Sequence, residues 1–164
     1  MSSTIAYPVT TVEYRLSSKR DLAALADLRW RLHTNDRPVD EPERYSRFVE
    51  DFIRIGESDP RTGELFHWVA CVDDRLVGVT SVILVRMVPK PGELDGRWGY
   101  LTNCYVIPEM RDRGIGGALL SKVKAWASDL KLRLLTVWPS DRAYSFYERA
   151  GFSRPADQLV LPIR

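Results

Sequence analysis

The chain has 164 residues, 45% hydrophobic and 28% charged, a balance that excludes intrinsic disorder and fibrous repeats and suffices to bury a core without disulfides or a structural metal. Lys and Arg number 24 against 22 Asp and Glu, a formal net charge of +2. No like-charge block is long enough for a polyanion-binding tail, so no nucleic-acid partner is expected. At this length residues 1–164 are expected to form one domain.

The longest apolar stretch runs from Val82 to Val85, with Val79 and Met87 beside it. Thr80, Ser81 and Arg86 interrupt it, and it is far too short to span a bilayer, so no membrane partner is expected. The opening Met1-Ser2-Ser3-Thr4-Ile5-Ala6 has neither the basic start nor the apolar run of a secretory signal. That predicts a cytoplasmic protein with free thiols at Cys71 and Cys104. Neither cysteine has Cys-x-x-Cys spacing or clustered histidines, so no metal site is expected.

In chain order, residues 12–16 read as a first strand, and Ser17-Ser18 can cap a helix whose apolar stripe is Leu22, Leu25, Leu28 and Leu32. That helix is expected to end near His33. Residues 33–42 are rich in turn formers, and Tyr45, Phe48, Val49, Phe52, Ile53 and Ile55 then suggest a second helix. Residues 65–72 and 76–88 are rich in β-branched and aromatic residues, and the intervening Asp73-Asp74-Arg75 makes them an antiparallel hairpin. Residues 100–107 form another strand. A helix over 114–130 would carry Leu119, Val123, Trp126 and Leu130 on one face, and residues 132–137 return as a strand in a parallel crossover. Pro139-Ser140-Asp141 start a last helix that Gly151 closes, and residues 159–163 finish as an edge strand. This mixed order argues for one central sheet flanked by helices.

The most informative segment is strand 100–107, the turn Pro108-Glu109-Met110, and Arg111-x-x-Gly114-x-Gly116-Gly117 opening a helix. Glycines let backbone N–H groups converge on a ligand, and a first helical turn offers unpaired donors and partial positive charge, a combination suited to a phosphate. Arg111 and Arg113 add full charges. A dinucleotide fingerprint would need glycine where Leu119 stands, and a Walker loop would need Gly-Lys-Ser/Thr, so neither applies. A tight strand-to-helix turn alone would also use these glycines. The second cluster is Phe146-Tyr147-Glu148-Arg149-Ala150-Gly151-Phe152, which a parallel crossover returns beside the first.

On these residues the chain resembles the GCN5-related N-acetyltransferases, whose coenzyme A pyrophosphate motif is Arg/Gln-x-x-Gly-x-Gly/Ala. Arg111, Gly114 and Gly116 match it, Asn103 to Glu109 matches the lead-in strand, and Phe146-Tyr147-x-x-x-Gly151-Phe152 matches the C-terminal motif. The resemblance implies a mixed α/β fold with a mostly antiparallel sheet of about six or seven strands, a parallel splayed pair made by the fourth and fifth, and about four flanking helices. It implies acetyl-CoA as the acetyl donor. Backbone groups of Tyr105 and Val106 would hold the pantetheine, and the amides of Arg111, Asp112, Arg113, Gly114, Ile115, Gly116 and Gly117 the pyrophosphate. Ser140 stands where many relatives carry an asparagine that touches the pantetheine, and it reads equally well as a helix cap.

Tyr147 is placed by the resemblance to protonate the departing thiolate, and a backbone N–H from the 103–106 stretch to polarise the thioester carbonyl. Some relatives use a glutamate as base on the preceding strand, but Tyr100 occupies the matching position here, which leaves the base unassigned. Glu64, Glu93, Asp95 and Glu109 read as surface carboxylates, and His33 and His67 as structural or solvent-facing. The acceptor would enter opposite the coenzyme, among Trp30, His33, Asp36, Asp40, Glu41, Tyr45, Phe66, Trp68 and Trp98, aromatic and acidic residues suited to a cation. The expected activity is acetylation of a primary amine by direct transfer in a ternary complex, without a metal. A non-catalytic acyl-CoA-binding module is the alternative, and homodimerisation is left open.

Overall fold

The computed structural model describes residues 11–57, 64–154, 159, 161 and 162. Strand β1 (Glu13–Leu16) leads into helices α1 (Leu22–Thr34) and α2 (Pro42–Glu57), followed by β2 (Leu65–Val72), β3 (Arg75–Arg86) and β4 (Arg97–Val106). Helix α3 (Ile115–Asp129) crosses over to β5 (Leu135–Val137), and a short α4 (Tyr144–Arg149) follows. The strands form one sheet in the order β1-β2-β3-β4-β5, antiparallel except for the parallel pair β4/β5. Among the described residues there are thus five strands where about six or seven were expected. Part of the expected edge strand over 159–163 lies outside the described residues.

Local chemistry accounts for most element ends. The β2–β3 hairpin closes through Asp73 and Asp74 at φ 47 and 61, the positive pair of a type I′ turn that aspartate tolerates. Helix α3 stops where Lys131 turns left-handed (φ 54) and the Leu132 amide reaches back to the Ala127 carbonyl at 2.9 Å. This terminal turn consumes residues expected to begin the next strand, so β5 is only three residues long. The last helix is likewise shorter than expected. A 3₁₀ turn, Asp141–Ala143, takes its first part, and Gly151 at φ 94 closes it, with the Phe152 amide bonded to the Tyr147 carbonyl at 3.1 Å.

The two sheet faces carry different cores. In β2, side chains alternate between faces. Phe66 stacks on Trp126 of α3 with centroids 4.9 Å apart, and its group includes Val82, Leu101, Leu120, Val123 and Tyr147. The opposite face takes α1 through Leu25 and Leu28, against Val69 and Val79. Helix α2 buries no residue fully and holds to α1 by an aromatic ladder in which Trp30 meets Tyr45 at 5.4 Å and Phe48 at 5.6 Å. At the start of α1, Asp21 accepts both terminal nitrogens of Arg15 at 2.8 and 2.9 Å and the Ser18 amide at 2.7 Å.

Candidate functional site

The parallel pair begins at Gly99, where a built Cβ would lie 2.6 Å from a Leu135 methyl and 3.0 Å from one of Val82. Only glycine lets β5 approach there. Pairing ends at Leu101 and Val137, yet β4 continues to Val106, so the strands part. The resulting cleft of about 150 Å³ is walled by Tyr100, Thr102, Asn103, Cys104, Ser140 and Tyr147 among others. Ser140 precedes the 3₁₀ turn and receives the Ala143 amide on its carbonyl at 2.8 Å.

At the same point β4 bulges. Val79 pairs with Tyr105 and Ser81 with Thr102, so Asn103 and Cys104 both face Thr80. Asn103 sits at φ 54, a conformation asparagine tolerates better than most residues. Its side chain is held at both ends. Its amide nitrogen donates to Ser81 Oγ at 3.1 Å and its carbonyl oxygen accepts from Arg29 at 3.4 Å, while Ser81 Oγ lies 2.7 Å from His67 Nδ1. His67 and Arg29 therefore belong to one polar chain across the α1 face of the sheet.

Tyr147 stands on the other face, 6% exposed, with its ring edge-on to Phe146 and Phe152 at 5.0 and 5.5 Å. Burial, and then the neighbouring Cys104 thiol, pushes its phenol well above the usual tyrosine range. Burial also raises the Cys104 thiol. Both groups therefore stay protonated in neutral water, so Tyr147 has a proton to give.

Beyond β4 the 3₁₀ turn Pro108–Met110 leads to the glycine segment. Asp112 (φ 60) and Gly114 (φ 76) are left-handed, and this path aims the start of α3 at open space. Only from Ala118, bonded to the Gly114 carbonyl at 3.0 Å, does the helical ladder run. No amide from Asp112 to Gly117 donates to an acceptor among the described residues. A Cβ built on Gly114 or Gly117 meets nothing within 4 Å. These amides are thus left without protein acceptors among the described residues at a positive helix end, which fits an anion.

Arg111 is committed elsewhere. Its amide donates to the Pro108 carbonyl at 3.2 Å, Nε to the Val106 carbonyl at 3.0 Å, and Nη2 to Asp36 at 2.7 Å. Asp36 also accepts from the Tyr105 hydroxyl. Burial pushes the Asp36 carboxyl up, but the bonds from Tyr105 and Arg111 outweigh it and hold it below the usual range. Burial and that same bond push the Tyr105 phenol up. Arg113, exposed in the loop, makes no ion pair among the described residues.

The remaining candidates divide by face. Glu64 pairs with Arg86 at 3.2 Å, Glu93 with Lys90 at 2.8 Å, and Asp95 with Arg97 at 3.4 Å, all away from the cleft. Phe66 packs against α3 and so lies on the face opposite the first two helices. Tyr100 lines the cleft beside Trp138, centroids 4.9 Å apart. Among the described residues no carboxylate or imidazole lines the cleft, and none group as a metal site. Sequence reading missed Arg29 and the structural role of Asn103. An asparagine inside a strand pattern was a signal for the second, and nothing in the sequence marked the first.

Solved structures share this overall fold. A predicted acetyltransferase from Clostridium acetobutylicum, solved with acetyl-CoA, superposes with a TM-score of 0.72 at 20% identity, covering 93% of this chain and 97% of that one. A GCN5-related N-acetyltransferase from Ralstonia eutropha gives 0.71 at 22%, covering 93% and 99%. Glucosamine-6-phosphate N-acetyltransferase from Arabidopsis thaliana gives 0.67 at 15%, covering 94% and 99%. At such identities these likenesses establish the acetyltransferase-type fold. No curated protein matches the chain. The model of the acetyltransferase (GNAT) family matches residues 22–152, and the chain belongs to that family.

Proposed function

We propose that the chain is an acetyl-CoA-dependent N-acetyltransferase that acetylates a primary amine by direct transfer in a ternary complex, acting as a single domain in the cytoplasm. The observation that carries this reading is the run of unengaged amides from Asp112 to Gly117, set at the start of α3 next to the parted strands β4 and β5. These amides, with the charge of Arg113, would hold the diphosphate of the coenzyme. The backbone at Tyr105 and Val106 and the side chain of Ser140 would guide its pantetheine into the cleft. Arg111 acts here as a strut, tying the loop to Val106 and to Asp36 after α1, rather than as a phosphate ligand.

The coenzyme supplies an acetyl thioester, and the chain's residues manage its charges. A backbone N–H of the bulge at Asn103 and Cys104 would stabilise the carbonyl oxygen as negative charge builds. As the amine nitrogen bonds to the acetyl carbon and the carbon–sulfur bond breaks, Tyr147 gives its phenolic proton to the leaving sulfur, and the proton that the nitrogen sheds on becoming an amide returns through water to the phenolate. A primary amine with a pKa near ~10 meets no carboxylate or imidazole among the described residues of the cleft wall, so it reacts as the neutral fraction delivered from solution.

Thermal unfolding with acetyl-CoA tests the binding step. At a hundredfold excess over Kd the coenzyme adds ~2.7 kcal/mol of stability. Release of free CoA thiol on adding a panel of primary amines tests transfer. A protein whose melting is indifferent to millimolar acetyl-CoA would overturn the assignment.

A further inference from the structure

The acidic side chains of α1, α2 and their connection are already engaged where they approach the sheet. Asp27 accepts from Tyr45 at 3.0 Å and pairs with Arg31 at 2.9 Å, Asp36 holds Tyr105 and Arg111, and Glu41 pairs with Arg44 at 3.1 Å. Arg29 is the exception in sign and in pairing. It projects from α1 onto the β4 bulge, half-buried, and only one of its five N–H donors has a partner among the described residues, the 3.4 Å bond to Asn103 Oδ1. It forms no ion pair among the described residues.

Burial pushes the Arg29 guanidinium below its usual range, and the electrostatic partner beside it is Tyr100, another wall of the cleft. One turn further along α1, burial and the Arg29 charge lower His33 as well, so His33 adds no second cation at neutral pH. A half-buried cation without a counter-charge is costly, and such groups are normally paired. The counter-charge is not the coenzyme diphosphate, because Arg29 meets β4 at the Asn103 bulge, whereas the open amides come after the Pro108–Met110 turn, where Arg111 ties the loop to Asp36 instead.

We infer that Arg29 anchors an anionic group of the acceptor, so that the acceptor is an amine carrying a carboxylate or phosphate close to its nitrogen. This inference rests on the acetyl-transfer reading. Asn103 joins the two halves of the argument, since it both lines the cleft and contacts Arg29. An anion seated on the free guanidinium nitrogens would thus hold the amine within a few bonds of the acetyl site. The acidic and aromatic surroundings expected to favour a cationic acceptor do not decide the matter, because Asp36 and Glu41 are already paired with Arg111 and Arg44.

Matched acceptor pairs test this. An α-amino acid is compared with its amide, and O-phosphoethanolamine with ethanolamine, with spermidine as a polycation. The anionic member is expected to exceed its neutral partner by about 10- to 100-fold in kcat/KM, mainly through KM. Which anionic compound leads identifies carboxylate or phosphate as the natural group. Arg29→Ala is expected to collapse the ratio and Arg29→Lys to restore part of it, which also serves if the alanine variant folds poorly. Ratios below about threefold, or ratios unchanged in Arg29→Ala, with efficient acetylation would overturn the inference and leave the transferase reading intact. A second arm measures thermal stabilisation by the same compounds with CoA present. Arg29-dependent stabilisation by the anionic members without acetylation of any amine would uphold the inference while refuting the transferase reading.

Discussion

Replacing Tyr147 by Phe removes one oxygen from the cleft and little else. The ring keeps its edge contacts with Phe146 and Phe152 at 5.0 and 5.5 Å and its place beside Val82, Leu101 and Val123. The hydroxyl's neighbour is the Cys104 thiol, a weak partner, so folding stability should change by no more than about 1 kcal/mol, or about 2–4 °C in Tm at this chain length. The effect on rate is different in kind. A positioned acid contributes about 10²- to 10⁴-fold, and at the lower end the variant loses about 100-fold in kcat, some 2.7 kcal/mol of transition-state stabilisation. The KM for acetyl-CoA should hold, because the hydroxyl neighbours Cys104 and is not among the groups proposed to hold the diphosphate. Steady-state release of CoA thiol with both substrates saturating measures this, beside a melting curve. A Phe variant that turns over within about threefold of the parent would refute proton donation by Tyr147.

The pH profile offers a second check. With no carboxylate or imidazole among the described residues of the cleft wall, kcat/KM should rise about tenfold per pH unit below the acceptor's pKa near ~10, and the raised Tyr147 phenol should impose no falling limb in that range; a plateau below about pH 8 would reveal an enzymatic base. Asp21→Ala removes a nearly buried carboxylate held by Arg15 and Ser18 and should cost about 2 kcal/mol or more at neutral pH. The bonds from Arg15 hold the Asp21 carboxyl below its usual range, so its contribution is present above an unfolded pKa near ~3.9 and fades as pH falls through the folded value. Denaturant titrations should therefore show the deficit constant at neutral pH and closing below about pH 4. The glycines of the loop should part company. Gly114→Ala forces a side chain to φ 76, costs about 1–2 kcal/mol and weakens acetyl-CoA binding. Gly117→Ala meets no neighbouring protein atom and gains up to ~1 kcal/mol of helix propensity, yet it too weakens acetyl-CoA binding, since its methyl enters the volume proposed for the diphosphate. Calorimetric melting and titration read both.

The order of elements was legible in the residues because it depends on local patterns. Strand β2 runs over Leu65–Val72 as alternation and β-branching require, and Gly151 takes the left-handed position expected of a helix-closing residue. Boundaries were missed where backbone hydrogen bonds at a helix end outcompeted the apolar pattern, as at Lys131 and Leu132, which shortened β5 at its start, whereas its end at Val137, beyond which β4 runs on unpaired past Leu101, was legible in the sequence.

The glycine-rich segment, its arginines and the Phe146-Tyr147 cluster were visible in the sequence because a phosphate-binding turn demands residue types at fixed spacing along a short stretch of chain. What the chain order could not show is how charges are shared between distant segments. Arg111 reads as a free cation and is tied to Asp36, 75 positions away. Arg29 reads as one more surface charge on an amphipathic helix, and folding sets it against Asn103, 74 positions on, without a counter-ion among the described residues. Sequence fixes which groups can ionise. Only packing decides which of them meet, how much water each one loses, and therefore which charge remains for a ligand to satisfy.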